Sequence, residues 1–175
     1  MNSHTTSQGQ SSEAKATFVS LIEDIKFAML TTVTAEGELR SRPMATLKAP
    51  FEGDLWFFTA DASAKVDEIL NERQVGLSYA APDKQKYVSV SGLASLVRDK
   101  SRMRELWTPA AKAWFPEGVD DPTIALLRVR VQAVEYWDSP SSKMVQLLGY
   151  LKSVTTGKPL ETVGEHKKVY VSNAP

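Results

Sequence analysis

The chain has 175 residues, 42% of them hydrophobic, enough for one domain with a buried core and short for two. Its 21 basic and 21 acidic residues cancel, so no overall field steers it toward nucleic acid or an anionic membrane surface. Cysteine is absent, which excludes thiol catalysis, thiolate metal centres and disulfides and suits a reducing cytoplasm.

Residues 1–12 are polar and rich in Ser, Thr and Gln, without the basic start and apolar run of a signal peptide, and read as a disordered tail before a domain over 13–172. No apolar run approaches the roughly 20 residues of a membrane span. From Glu13 to Lys26 the residues Phe18, Val19, Leu21, Ile22 and Ile25 fall near helical spacing, which predicts a helix with one buried face. Phe27 to Val33 is rich in β-branched residues, Ala35 to Glu38 is a tight turn, and Leu39 to Lys48 runs extended, giving a hairpin. Pro43 places the second of these strands at a sheet edge or just past a bulge. After a turn at Pro50 to Asp54 comes the aromatic strand Leu55-Trp56-Phe57-Phe58-Thr59.

Asp61 to Lys65 opens a short helix ending near Asn71, with Val66, Ile69 and Leu70 expected to face the sheet. Val75 to Ala80 and Tyr87 to Val97 predict two strands, and Gly92 marks a bulge in the second. Asp99 can cap a helix running to Leu106, and Thr108-Pro109 can start another that reaches Trp114. Thr123 to Trp137 is a long strand, Met144 to Leu151 a helix, and Lys167 to Val171 a last strand. Six or seven strands with hairpin connections and marginal helices predict a mainly β fold, an antiparallel barrel with flanking helices.

His4 and His166 are the only histidines, so a histidine triad or a histidine metal site has little to work with, and no metal is expected. Neither G-x-G-x-x-G nor G-x-x-x-x-G-K-[ST] occurs, which removes the Rossmann and P-loop modes of nucleotide binding. What remains suits a dianionic phosphate. Arg40 and Arg42 share one face of a strand, and a guanidinium can hold phosphate through two parallel hydrogen bonds. Thr59 ends the aromatic strand, Ser63 stands at the start of the next helix and Lys65 lies in its first turn, where free amides favour an anion. The same residues also suit a solvated strand face and a plain helix cap, and Trp56, Trp107, Trp114 and Trp137 suit a core, an interface or a flat ring ligand. Residue chemistry leaves these alternatives open.

The run Arg40-Ser41-Arg42-Pro43-Met44 followed by Trp56 to Lys65 resembles the FMN-binding split-barrel superfamily of pyridoxamine 5′-phosphate oxidases. Trp107 to Asp121, with Trp114-Phe115-Pro116-Glu117-Gly118, and then Val134 to Asp138, resemble its bacterial general stress protein branch. The resemblance implies a split barrel in which Arg42 contacts the flavin phosphate and Pro43 and Met44 run along the isoalloxazine. It also puts Phe58 and Thr59 beside the cofactor, and Ser63 and Lys65 at the phosphate. Tyr87 matches a flavin-contacting glutamine of the oxidases, and Trp137 a tryptophan that a second subunit lays against the flavin, so a homodimer with FMN at its interface is implied. Asp138 to Lys143 stands where the oxidases carry the R-x-H-x-R substrate motif, and Lys48 is an offset counterpart of their substrate lysine. Oxidation of pyridoxamine phosphate is therefore not the expected activity. The expected protein is an FMN-binding oxidoreductase or reductase of unassigned substrate. The alternatives are a flavin-binding sensor or storage module without turnover, and a relative that uses FAD or F420.

Overall fold

A computed structural model describes residues 15–138 and 165–170. The proposed tail, the helix at Met144 to Leu151 and the segment replacing the substrate motif from residue 139 onward lie outside them. Seven antiparallel strands form one sheet: β1 (Phe27–Val33), β2 (Leu39–Ala45), β3 (Asp54–Ala60), β4 (Gln74–Ala81), β5 (Lys86–Val97), β6 (Ile124–Asp138) and β7 (Glu165–Tyr170). Their order is β2-β1-β4-β5-β6-β3, with β7 also on β6. The 15-residue β6 organises the sheet: β5 lines one edge, while β3 pairs with its first half and β7 with its second. Just beyond β2 the Leu47 amide donates to the Trp56 carbonyl of β3 at 2.9 Å, so the two outer strands meet and the sheet curls into a split barrel.

Local chemistry explains most of the strand boundaries. Gly37 and Gly53 adopt φ of +83° and +102° in the turns that end β1 and precede β3, a region where a side chain is strained. Pro43 sits on β2 at the sheet edge, where a missing amide donor costs no ladder bond. The predicted bulge is present: the β5/β6 register shifts between Ser91 and Gly92, and a Cβ on Gly92 would lie 2.4 Å from the Arg130 carbonyl oxygen. Inward residues of β1, β4, β5 and β6, with Leu55 and Phe57 of β3, build the main core, closed by Phe18, Leu21 and Ile22.

The helices depart further from expectation. Among the described residues the first, α1, covers 15–22 and stops short of the expected Lys26, because a turn in which the Ile25 amide donates to the Ile22 carbonyl leads directly into β1; the expected start at Glu13 lies outside the described residues. The second, α2 (Ala64–Asn71), turns Val66, Glu68 and Ile69 inward and leaves Leu70 68% exposed, correcting the expected face. In α3 (Lys100–Leu106), Asp99 accepts from the Ser101 and Arg102 amides, the cap anticipated from sequence. Thr108 to Trp114 forms a 3-10 turn over Pro109–Ala113 in place of an α-helix, with i→i+3 bonds from Ala111 to Thr108 and from Trp114 to Ala111. A second apolar cluster packs α3 and this turn, through Met103, Leu106 and Phe115, onto the outward side of β3 and β6. β7 begins two residues before the predicted Lys167. Among the described residues no helix is long and apolar enough to cross a membrane.

The opposite, outer face of the sheet carries little charge. Cross-strand rows run Pro43-Met29-Ser78-Ser89-Glu135 and Ser41-Thr31-Gly76-Ser91-Ala133, and Ala80, Tyr87 and Trp137 form a further partial row. Up to β6 Glu135 is the charged residue of these rows, and β7 continues them in register with Lys168, Tyr170 and His166.

Candidate functional site

Where β2 meets β3, a cavity of about 440 Å³ opens between the strand ends, the start of α2 and the 3-10 turn. Its volume falls in the range of small-molecule and cofactor sites, about 300–1,000 Å³. One end is cationic and hydroxylated, with Arg42, Lys65 and Thr59. Apart from Thr108, the rest is apolar: Pro43, Met44 and Leu47 from the β2 side, Phe58 from β3, Phe27 from β1, and Ala111, Trp114 and Phe115 from the turn. The β2 backbone, freed of a neighbour on its outer edge, is what brings Arg42 to Ala45 into one wall.

The polar end is internally bonded. Lys65 Nζ donates to Ser63 Oγ at 3.0 Å, Ser63 Oγ donates to the Ala60 carbonyl at 2.8 Å, and the Thr59 hydroxyl lies 3.4 Å from Ser63 Oγ. Ser63 occupies the N-cap position of α2 without a side-chain cap bond, so its hydroxyl serves Lys65 and the β3 terminus, not the helix amides. Burial and the neighbouring Arg42 charge hold the Lys65 ammonium below its ordinary range, partly offset by Glu68. An anion at this end would reverse that bias.

Arg42 and Arg40 have different surroundings. Arg42 is less than a quarter exposed; its Nη2 donates to Glu68 Oε2 at 2.8 Å and its Nη1 donates to the Thr32 hydroxyl, which in turn donates to the same carboxylate. Arg40 is over half exposed, lies 3.6 Å from Glu68 Oε1 and takes no part in the cavity wall. Glu68 itself is only 6% exposed. Burial opposes its ionisation, but the hydrogen bonds from Thr32 and Arg42 and the two arginine charges outweigh it and hold the carboxyl below the usual range.

Of the residues singled out from sequence, Arg42, Pro43, Met44, Phe58, Thr59 and Lys65 line the cavity, and Ser63 bonds Lys65 behind it. Tyr87 and Trp137 do not line it: they pair in register on β5 and β6 and face outward, 44% and 41% exposed. Sequence reasoning missed Glu68 and left Trp114 open between a core, an interface and a flat ring ligand; Trp114 is 63% exposed at the cavity. At about 100° per residue, Lys65, Glu68 and Ile69 share one side of α2, and that was the available signal.

A sequence profile described as "Pyridoxamine 5'-phosphate oxidase like" matches residues 13–161. The chain belongs to this family. Protein bli-3 of Neurospora crassa is 32% identical over 144 residues, 77% of this chain and 69% of that protein. Among solved structures, one described as general stress protein 26 from Jannaschia sp. CCS1 superposes with a TM-score of 0.73, covering 91% of this chain and 99% of the other; at 22% identity this likeness concerns the fold. The general stress FMN/FAD binding protein of Xanthomonas citri is 26% identical with a TM-score of 0.65, covering 75% of this chain and 92% of that one. The expected split barrel is the fold observed, and Arg42, Pro43, Met44 and Ala45 supply the β2 wall of the cavity.

Proposed function

We propose that this family member binds FMN in the β2/β3 cavity and acts as a flavin-dependent oxidoreductase on small-molecule partners. The observation that carries the reading is the polarity of the cavity: Arg42, Lys65 and Thr59 gather at one end of a space lined elsewhere mostly by flat or apolar side chains. The donor set fits a phosphate. Arg42 spends one N–H each on Glu68 and Thr32, and a guanidinium has five. Lys65 adds a second cation and Ser63 a hydroxyl beside it. Pro43, Met44 and Phe58 would flank the ring system.

When bound, the flavin supplies the redox chemistry, accepting and returning electrons. The chain's part is to hold the phosphate end with Arg42 and Lys65, orient the ring along β2, and exclude water with Phe27 and Phe115. The outer sheet face is proposed to dock a second copy of the chain. From β1 to β5 its cross-strand rows carry no charge, it is continuous with the cavity through Phe27, Pro43 and Ala45, and it presents Tyr87 and Trp137 where a partner's cofactor would be met.

The purified protein is expected to retain flavin absorbance after reconstitution with FMN and desalting, and to oxidise NADH or NADPH steadily when loaded. No retained absorbance and no quenching of flavin fluorescence would reject the binding. Bound flavin that never cycles would reduce the proposal to a binding module. Mass spectrometry of the released cofactor separates FMN from FAD and F420.

A further inference from the structure

We infer that Glu68 is a positioning residue for the anion-binding end of the cavity: it clamps one edge of the Arg42 guanidinium and leaves the other edge to the ligand phosphate. The inference rests on the FMN reading and assigns a role to a side chain that the sequence patterns did not single out.

Three observations support it. Glu68 is the buried acid of α2, held between Val66 and Ile69 on the inward face, and its carboxylate is engaged by Arg42 and Thr32 together. Arg42 and Lys65 of the cavity wall both answer to it, since the Arg42 bond is direct and Lys65 stands one helical turn before it. Thr32, fully buried on β1, closes the triangle by accepting from Arg42 while donating to Glu68. An arginine held at two points has lost much of its rotamer freedom before any ligand arrives.

The clamp also sets the charge of the cradle. With Glu68 ionised, the Arg42 and Lys65 charges are offset by one, so the site favours an anion without storing two unbalanced cations in a half-buried place. Arg40 reaches the same carboxylate only from the solvent side, at 3.6 Å. This arrangement explains why Arg42, and not its neighbour two residues away, enters the cavity wall.

The test compares FMN with riboflavin, which has the ring but no phosphate, in the full-length protein and its variants. Glu68→Ala is expected to weaken FMN roughly tenfold, the rotamer freedom regained by Arg42, and to leave riboflavin affinity unchanged. Glu68→Gln keeps an oxygen that can accept from both Arg42 and Thr32, and is expected to restore the selectivity for FMN over riboflavin. If Glu68→Ala does not fold, Thr32→Val carries the same test, with a smaller loss confined to FMN. Equal loss of both ligands, unchanged FMN affinity in Glu68→Ala or Thr32→Val, or a failure of Glu68→Gln to restore selectivity overturns the assignment. A wild-type protein that binds neither ligand overturns the FMN reading itself, and the clamp with it.

Discussion

Tyr87 of β5 and Trp137 of β6 stand directly opposite each other on the outer face of the sheet, both more than two fifths exposed and both apart from the cavity of their own chain. Large aromatics left exposed on a sheet face suit burial against another protein surface. A charge placed in the middle of that face should oppose the burial. Ser78→Arg lies between Met29 and Ser89 in a cross-strand row and is exposed in the single chain, so it leaves the core untouched. Sedimentation is expected to show a dimer for the wild type and a monomer for Ser78→Arg, because a charge buried without a partner costs several kcal/mol. A monomeric wild type, or a dimeric variant, counts against the docking of two copies.

The two cavity cations should be separable by ligand. Arg42→Ala is expected to weaken FMN by about 1.5–3 kcal/mol, roughly 10- to 150-fold in Kd, as a charge-assisted hydrogen-bond donor is lost. It should also lower thermal stability, because the buried Glu68 is left without its closest counter-charge. Lys65→Ala should weaken FMN with little effect on the melting temperature, since the hydrogen bond of Lys65 is to the neutral Ser63 hydroxyl behind the cavity wall. Arg40→Ala should change FMN affinity far less than either. Fluorescence titration with FMN, repeated with riboflavin, reads all three.

Glu68 gives the fold an acid-sensitive support. Its carboxyl is held lower in the folded protein than in the unfolded chain, so the unfolded state binds more protons as pH falls and stability is lost in that direction. The contribution is present above the ordinary glutamate value, roughly 4.3, and disappears as pH drops through the lower folded value. Urea midpoints measured on descending pH should fall more steeply for the wild type than for Glu68→Gln. Parallel curves would show that Glu68 carries no such linkage.

Gly92 is irreplaceable for a packing reason. Its φ is unexceptional, but a Cβ there would stand 2.4 Å from the Arg130 carbonyl oxygen and 2.9 Å from Val129 Cγ1, on the strand that also carries β3. Backbone cannot yield as a flexible side chain does. Gly92→Ala is expected to cost about 1–3 kcal/mol in urea unfolding, in the range of overpacked cores. By contrast, Gly76→Ala meets only Thr31 Cβ at 3.9 Å and should be nearly neutral in space.

Much of this protein was legible in its sequence because strands and turns answer to local rules. Alternation and β-branching marked β1 to β6, glycine conformations fixed the hairpin turns, Gly92 announced the bulge, and Asp99 announced a helix start. The ordered family resemblance named Arg42, Pro43, Met44, Phe58, Thr59 and Lys65, which form the polar end and part of the β2 and β3 walls of the cavity. Tertiary structure alone decided which side of α2 faces inward. An eight-residue helix carries too few apolar positions to fix its own rotation, so packing against the sheet buried Glu68 and released Leu70. The same holds for Arg42, which meets a carboxylate 26 residues away only because β2 and α2 are brought together by the curl of the sheet. Trp114 reaches the cavity, and Tyr87 and Trp137 stay outside it, for the same reason: pairing register and strand curvature place side chains over distances that no local pattern encodes.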